Sequence, residues 1–73
     1  MTYHYQRLRD LREDNDKKQE AIAIVLGITR QQYQLYEGGK RELPMHHFIM
    51  LARYYNVSLD YLAGLIDTPK KLY

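Results

Sequence analysis

The chain has 73 residues, a formal net charge of +2 and no cysteine. That length suffices for one domain whose core is only just large enough, and the absence of cysteine excludes disulfides, Cys-based zinc sites and a thiol nucleophile. The longest apolar run, from Ala21 to Leu26, is too short to span a membrane. The N-terminal ten residues lack the apolar stretch of a signal peptide. We therefore expect a cytoplasmic protein with no membrane partner.

Five helices and no strand are predicted along the chain. Thr2 can cap the first helix, and the polar stretch at residues 13–16 ends it. Four of its residues share one side at helical spacing, and these are Tyr5, Leu8, Leu11 and Arg12.

The second predicted helix begins where Asp16 and Gln19 show the spacing of a capping box. Its inward stripe consists of Ile22, Ala23 and Leu26. The six consecutive apolar residues could also form a buried strand, but the polar Gln-Glu pair before them and the glycine after them favour a short helix.

A glycine separates the second helix from the third. Gly27 permits a sharp turn, and Ala23 four residues earlier is small enough to let two helices cross closely. Thr29 and Gln32 repeat the capping-box spacing and start the third helix. Tyr33 and Tyr36 are predicted to face inward, and the pair of glycines at 38 and 39 ends the helix.

Helices four and five complete the domain. Pro44 suits the first turn of helix four, whose inward positions at helical spacing are Met45, Phe48, Ile49, Ala52 and Tyr55. Asn56 can end that helix in a left-handed conformation, Ser58 can cap helix five, and Asp60 is favourable in its first turn. We expect a single domain over residues 1–66 and an irregular C-terminal tail over residues 67–73.

The outward side of the third helix carries side chains that can read base edges in a DNA major groove, namely Arg30, Gln31, Gln32 and Gln34. Positive charge is concentrated around it, since the segment from Lys17 to Arg41 has five basic and two acidic residues. The competing interpretation is an ordinary solvated surface.

Four motifs in register resemble the helix-turn-helix domain of the XRE or Cro family, which is related to the lambdoid phage repressors. They are RLRDLRED, QEAIAIVLGITR, YEGGKR and LARYYNVSLDYL, and they lie between Arg7 and Gly64. The resemblance implies an all-α, compact five-helix DNA-binding domain, usually dimeric and usually repressing transcription, in which helices two and three form the helix-turn-helix.

The resemblance also implies roles for individual residues. Arg30, Gln31 and Gln34 would face the major groove, and Gln19 would bind a phosphate while bracing the third helix. Arg12 and Glu37 match a pair that joins helix one to helix three. The full set expected to contact the DNA backbone is Lys17, Lys18, Gln19, Thr29, Gln32, Lys40 and Arg41.

Four positions depart from the family pattern. Lys17 and Lys18 replace an apolar residue and a threonine at the entrance to helix two, and they are well placed for phosphates. Tyr33 is bulkier than the usual aliphatic residue, which predicts a wider contact between helices two and three. Leu35 stands where a polar residue is common; it could contact a thymine methyl group as a fourth base-contacting residue, pack against the domain, or be incidental.

Helices four and five carry more apolar surface than a small monomer should expose. The residues concerned are Met50, Tyr54, Tyr61, Leu65 and Ile66, with Leu72 and Tyr73 as possible additions. We predict a homodimer there, because a two-fold axis would place two recognition helices about 34 Å apart on double-stranded DNA. Alternatively, the tail folds back and covers this surface. Ile24 and Val25 are also expected to be exposed.

The chain offers little for catalysis, and we expect neither an enzyme nor a cofactor. His46 and His47 are adjacent and should diverge by about 100° around a helix, so they should not bind one metal together. Ser58, the only serine, is better explained as a helix cap. Gly38 and Gly39 follow a helix, whereas a phosphate-binding glycine loop would precede one.

Two functions therefore remain. The first is a sequence-specific DNA-binding transcriptional regulator, in particular a bacterial or phage repressor. The second is an antitoxin or another protein-interaction module, which would bind a toxin through the apolar face of helices four and five.

Overall fold

A computed structural model describes residues 5–68 of the chain, and these residues contain five helices and no strand. The helices are α1 (Gln6–Asp14), α2 (Gln19–Leu26), α3 (Arg30–Glu37), α4 (Met45–Tyr55) and α5 (Leu59–Leu62). The predicted all-α fold with five helices is confirmed. The predicted cap Thr2 and the end of the predicted tail, residues 69–73, lie outside the described residues.

The first helix begins later than predicted. Its N-cap is Tyr5, whose backbone is not helical, although the sequence placed Tyr5 inside the helix. Tyr5 is held by tertiary contacts instead: its hydroxyl accepts a hydrogen bond of 3.0 Å from the Leu43 amide, and its ring packs edge-on against Phe48. These contacts fix the direction in which the chain enters α1.

Asp16 does not cap the second helix, contrary to the prediction. It adopts the left-handed conformation, with φ 54°, and its amide donates to the Glu13 carbonyl at the end of α1. A short polar side chain tolerates this conformation better than most. The N-cap of α2 is Lys18, which makes no side-chain capping bond. Asp16 therefore ends the first helix, and the second begins without a cap.

One apolar core joins the five helices, and Tyr33 is its largest fully buried side chain. The buried apolar residues are Leu8, Ile22, Ala23, Leu26, Tyr33, Leu43, Leu51, Ala52, Val57 and Leu62. The predicted inward stripe of α2 is confirmed, and Tyr36 packs against the core while partly exposed. Complete burial of Tyr33 means that the contact between α2 and α3 accommodates this large ring.

On α4 the predicted stripe was partly wrong. Phe48, Ala52 and Tyr55 contact the core, but Met45 and Ile49 are 64% and 38% exposed. Leu51 is fully buried in their place. The reason is that apolar residues occupy most positions of this helix, so that spacing alone does not define one inward side.

His47 is buried on α4, and its Nδ1 atom has no hydrogen-bond partner among the described residues. Burial, together with the neighbouring His46, lowers the pKa of His47 below its usual 6.5. His46 is exposed and His47 is buried, as the expected divergence of the two side chains implies, although their ring centroids lie only 4.1 Å apart. Neighbouring residues on a helix can bring their rings together through rotation about the side-chain bonds.

The remaining predicted helix ends agree with the structure. Gly39 and Asn56 have φ values of 76° and 55° and take the left-handed conformation after α3 and α4. The Ser58 hydroxyl oxygen accepts a bond of 3.2 Å from the Tyr61 amide and caps α5. Pro44 is an exception: it was predicted in the first turn of α4 and lies one residue before that helix, as its N-cap.

Candidate nucleic-acid interface

The turn between α2 and α3 is tight because Gly27 takes a left-handed conformation, with φ 70° and ψ 31°. A side chain at this position would meet no atom within 4 Å, so the glycine is required by its backbone angles and not by crowding. The Ile28 amide then donates to the Ala23 carbonyl over 3.0 Å. This bond holds the start of α3 to the end of α2.

A complete capping box begins α3, as the sequence predicted. The Gln32 amide donates to the Thr29 hydroxyl oxygen over 3.1 Å, and the Thr29 amide donates to Oε1 of Gln32 over 3.0 Å. Both residues were predicted to contact the DNA backbone. Because the Thr29 amide is already bonded, a phosphate contact here would use the Thr29 hydroxyl hydrogen or the following amides.

Polar residues that were predicted to contact bases share the outer side of α3. Gln31, Gln34, Leu35 and Gly38 fall at the spacing i, i+3, i+4 and i+7 of one helix side. Together with Lys40 they line a shallow surface depression of about 400 Å³, here called the α3 groove. Gln31 and Gln34 are exposed and Leu35 is partly exposed. Arg30 is also exposed but does not line the α3 groove.

Two basic residues of the loop after α3 are bonded to the same carbonyl of the helix. The amides of Lys40 and Arg41 both donate to the Leu35 carbonyl, over 2.9 and 3.2 Å. Gly39 makes this turn possible through its positive φ. The two basic residues are thus held beside the outer side of α3.

Basic side chains around α3 are free of internal ion pairs within the part of the chain that the structure describes. All of them are exposed, and they are Lys17, Lys18, Arg30, Lys40 and Arg41. Unpaired cations on one side of a small domain are available to neutralise phosphates.

The inner side of α3 is fastened by Glu37, whose side chain is only 2% exposed. Arg12 donates to both of its carboxylate oxygens over 2.9 Å, and Gln19 donates to one of them over 3.3 Å. Burial alone would raise the pKa of Glu37, but the hydrogen bonds to its carboxylate, of which the one from Arg12 contributes most, together with the positive charge of Arg12 outweigh burial and leave the pKa below 4.5. Arg12 also donates to the Lys17 carbonyl.

This network joins three helices and bears out the pairing of Arg12 with Glu37. It also has members that the sequence did not indicate, since Arg9 lies 3.7 Å from the Glu37 carboxylate. The bond from Gln19 agrees with its predicted role of bracing α3. Its predicted contact with a phosphate stays a prediction.

The predicted dimer residues on α4, on α5 and directly after α5 are unevenly exposed. Met50, Tyr54 and Leu65 are 38%, 41% and 76% exposed. Tyr61 and Ile66 are only partly exposed, and the Tyr61 ring lies 4.7 Å from the Arg7 guanidinium. Tyr61 is therefore better described as part of the packing between α1 and α5.

Sequence reasoning missed exposed apolar residues next to this surface. Ile49 and Leu59 are each 38% exposed, and the first had been predicted to face inward. The crowding of apolar residues on α4 hides such positions from a spacing argument. Ile24 on α2 is 73% exposed, as predicted, and Val25 is only partly exposed.

In residues 5–68, no three histidine, cysteine or acidic side chains lie close enough together to hold a metal ion. Within the same range, no helix is long and apolar enough to cross a membrane.

Comparison with known proteins gives one family and several curated relatives. A family model described as "Helix-turn-helix" matches residues 8–62. The uncharacterized HTH-type transcriptional regulator YobD of Bacillus subtilis is 41% identical over 64 residues, which cover 88% of this chain and 57% of that protein. The chain thus spans little more than half the length of this relative.

Two further relatives are linked to phages by their names. The SPbeta prophage-derived uncharacterized HTH-type transcriptional regulator YonR of Bacillus subtilis is 39% identical, across 78% of this chain and 53% of YonR. The cryptic phage CTXphi transcriptional repressor RstR of Vibrio cholerae is 31% identical, across 85% of this chain and 56% of RstR. No solved structure gives a significant match. The names of these relatives describe transcriptional regulators and not enzymes.

Proposed function

The chain belongs to the helix-turn-helix family, and we propose that it is a sequence-specific DNA-binding transcriptional regulator that acts as a repressor. The observation that carries the proposal is the outer side of α3, where the exposed side chains of Arg30, Gln31 and Gln34 make no hydrogen bond with residues 5–68. The inner side of α3 is bonded to the rest of the domain, so the helix is held in place. Unbonded amide and guanidinium groups on its outer side are then suited to bidentate contacts with adenine and guanine.

The surrounding charges support the same interpretation. Lys40 and Arg41 are held beside α3 by the Leu35 carbonyl, and Lys17 and Lys18 precede α2. Such cations add affinity for phosphates without reading sequence. A repressor role is supported by the name of RstR, which is a phage transcriptional repressor. A regulator of this kind works in the cytoplasm, where bacterial DNA is found.

Selection of bound duplexes from a randomised double-stranded DNA library tests the proposal. We expect an enriched site with two inverted half-sites about one helical turn apart. Affinity for the enriched site should exceed affinity for scrambled DNA at least 10³-fold at physiological salt. Binding that stays at the non-specific level for every sequence would refute the proposal.

We further propose a two-fold homodimer through α4 and α5. Exposed Met50, Tyr54 and Leu65 support it, since one domain of this size grips only a half-site. Sedimentation equilibrium should give a dimer mass for the wild-type chain and a monomer mass for a Met50→Lys/Tyr54→Lys variant. The matched control is Ile24→Lys on α2, which should remain dimeric. Wild-type protein that is monomeric both alone and on the operator would refute this dimer.

The alternative function is an antitoxin or similar module that binds another protein, such as a toxin, through the same apolar surface. The exposure of Leu65 and Tyr54 is the observation that favours it. A stable complex with one unrelated protein, lost in the Met50→Lys/Tyr54→Lys variant and combined with only non-specific DNA binding, would support this alternative. Specific DNA binding by the isolated chain would support the repressor.

A further inference from the structure

Leu35 is the one apolar side chain that lines the α3 groove. It lies on the same helix side as Gln31 and Gln34 and is partly exposed. The core-facing positions of α3 are taken by Tyr33 and Tyr36, so Leu35 is not required to complete the core. Its side chain is therefore available at the surface that would approach a base.

Gly38 shapes the groove beside Leu35. It lines the depression without a side chain, and a Cβ added there would come within 3.1 Å of the Gln34 carbonyl oxygen. A larger residue at this position would both crowd the helix end and reduce the depression. The glycine thus leaves room for a group about the size of a methyl to reach the leucine.

Base edges in the major groove present one apolar group, the C5-methyl of thymine. The two residues that accompany Leu35 in the groove, Gln31 and Gln34, carry amides that bind adenine bidentately through N6 and N7. Adenine is paired with thymine. A single run of A·T pairs therefore supplies both the polar and the apolar partner that this surface requires.

The position of Leu35 is also tied to the DNA backbone contacts. Its carbonyl accepts bonds from the amides of both Lys40 and Arg41. If these cations rest on phosphates, the leucine side chain is held at a fixed depth relative to the backbone. Backbone contacts position a protein and base contacts then specify the sequence, and here one residue takes part in both.

Resting on the DNA-binding function proposed above, we infer that Leu35 reads the thymine methyl group of an A·T pair that lies next to an adenine bound by Gln31 or Gln34. The α3 groove then selects A·T pairs by their methyl group as well as by their hydrogen bonds. The contact is with the methyl group itself, so a base pair with the same hydrogen-bond groups but no methyl is discriminated against.

Replacement of thymine by deoxyuridine tests this inference, because it removes the C5-methyl and keeps every Watson–Crick group. The site is first selected from a random duplex library, and each of its thymines is then replaced in turn. We expect about fourfold weaker binding at one thymine of each half-site, as the loss of one buried methyl implies. In a Leu35→Ala protein the same replacement should have no effect.

Two controls make the result specific to Leu35. An Ile24→Ala protein, which loses an exposed apolar side chain on α2, should keep the full fourfold effect of deoxyuridine. Replacing the critical A·T pair by a pair of guanine with cytosine removes the methyl group, and 5-methylcytosine in the same place returns it. Because Leu35 contacts the methyl group itself and the glutamine-bound adenine lies in the neighbouring pair, the 5-methylcytosine duplex should bind more tightly than the cytosine duplex.

The outcomes separate the inference from the function on which it rests. An equal deoxyuridine effect in wild-type and Leu35→Ala proteins, or no effect at any thymine of a selected site, would overturn the role of Leu35 and leave the DNA-binding function intact. A 5-methylcytosine duplex that binds no better than the cytosine duplex would overturn the contact with the methyl group itself. If no site is enriched at all, the proposed function fails first.

Discussion

The two sides of α3 serve opposite purposes. On the inner side, Tyr33 is fully buried and the Glu37 carboxylate receives hydrogen bonds from α1 and α2. On the outer side, Gln31, Gln34 and Leu35 face a surface depression, and their side chains make no hydrogen bond within residues 5–68. A helix of eight residues is too short to be stable alone. Its inner side therefore supplies stability, which leaves the outer side free for recognition.

Among substitutions on the inner side of α3, removal of the Glu37 charge should lower the free energy of unfolding most. The Glu37→Gln substitution leaves Arg12, which is only 14% exposed, without its carboxylate. Loss of one partner from a buried ion pair costs about 3–5 kcal/mol, a large share of the stability of a small domain. Chemical denaturation followed by circular dichroism measures this change in the free energy of unfolding.

The matched control lies on α1. Glu13 pairs with Arg9 at 3.6 Å, and both side chains are about 60% exposed. A Glu13→Gln substitution should cost at most about 1 kcal/mol, as exposed pairs do. Similar costs for the two substitutions would mean that Glu37 is not the fastening point of α3.

Acid should reproduce part of the Glu37 effect without a substitution. The pKa of Glu37 is lowered in the folded protein. Glu37 therefore stabilises the fold fully above pH 4.5, and this contribution is lost as the pH falls through the pKa that Glu37 has in the folded protein. The pKa of His47 is also lowered. The unfolded chain therefore binds a proton more readily at this histidine, and stability should already decline as the pH falls below 6.5.

Thermal unfolding from pH 8 to pH 3 separates the two contributions. In a His47→Gln variant, the melting temperature should no longer decline from about pH 6.5, but it should still decline below pH 4.5. Glu37→Gln should show the reverse. A wild-type melting temperature that rises between pH 7 and pH 5 would contradict the assignment of His47.

Substitutions on the outer side should weaken recognition and spare stability. Gln31→Ala and Gln34→Ala should each cost about 1–3 kcal/mol of specific binding and relax the preference at one base pair. Because both residues are exposed, the free energy of unfolding should change by less than about 0.5 kcal/mol. Fluorescence anisotropy on the selected site and on single-base variants measures both the loss and its position.

A glutamine elsewhere provides the control for that experiment. Gln6 on α1 is exposed, and its side chain donates to Asp10 on the same helix. A Gln6→Ala protein should bind the site with unchanged affinity and unchanged base preference. If all three alanine variants bind alike, α3 does not read the bases.

The capping box lies at the start of α3, between its inner and outer sides. Its loss should have a smaller effect on stability than the Glu37 substitution and a smaller effect on DNA binding than the glutamine substitutions. Thr29→Ala removes the acceptor of the Gln32 amide and should cost about 1 kcal/mol of stability. Thr29→Ser keeps the hydroxyl and should behave like the wild type. A Thr29→Ala protein that is as stable as Thr29→Ser would show that the cap contributes nothing.

The sequence predicted best those features that depend on local chemistry. The capping box at Thr29 and the left-handed Asn56 follow from one or two residues each, and both are confirmed. The predictions for Asp16 and Met45 were wrong because tertiary context decided them. Asp16 lies where α1 must end, and Met45 belongs to a helix whose apolar residues surround most of its circumference.

The candidate site was predictable to a similar extent. The exposed positions of Gln31 and Gln34 and the pair formed by Arg12 and Glu37 follow from the recognised motifs. The depression beside Leu35 and the two bonds to its carbonyl do not. They depend on how Gly38 and the following loop fold back, which is a property of the three-dimensional arrangement.

Substitution of a cation at the edge of the outer side of α3 should have the smallest effect on DNA binding. Lys40→Gln keeps the backbone bond to the Leu35 carbonyl, so the loop should stay in place and stability should not change. Removing one phosphate contact should lower the slope of log affinity against log salt by about 0.9 and weaken binding equally for all sequences.

Arg53 provides the control for Lys40, because it is an exposed and unpaired cation of the described chain that lies on α4, away from the α3 groove. Arg53→Gln removes the same charge from the whole protein but should leave the salt slope unchanged. Equal changes for the two variants would mean that net charge and not position governs binding. A lower slope for Lys40→Gln alone would place a phosphate beside the loop that Leu35 holds, and would connect the backbone contact to the base contact through one residue.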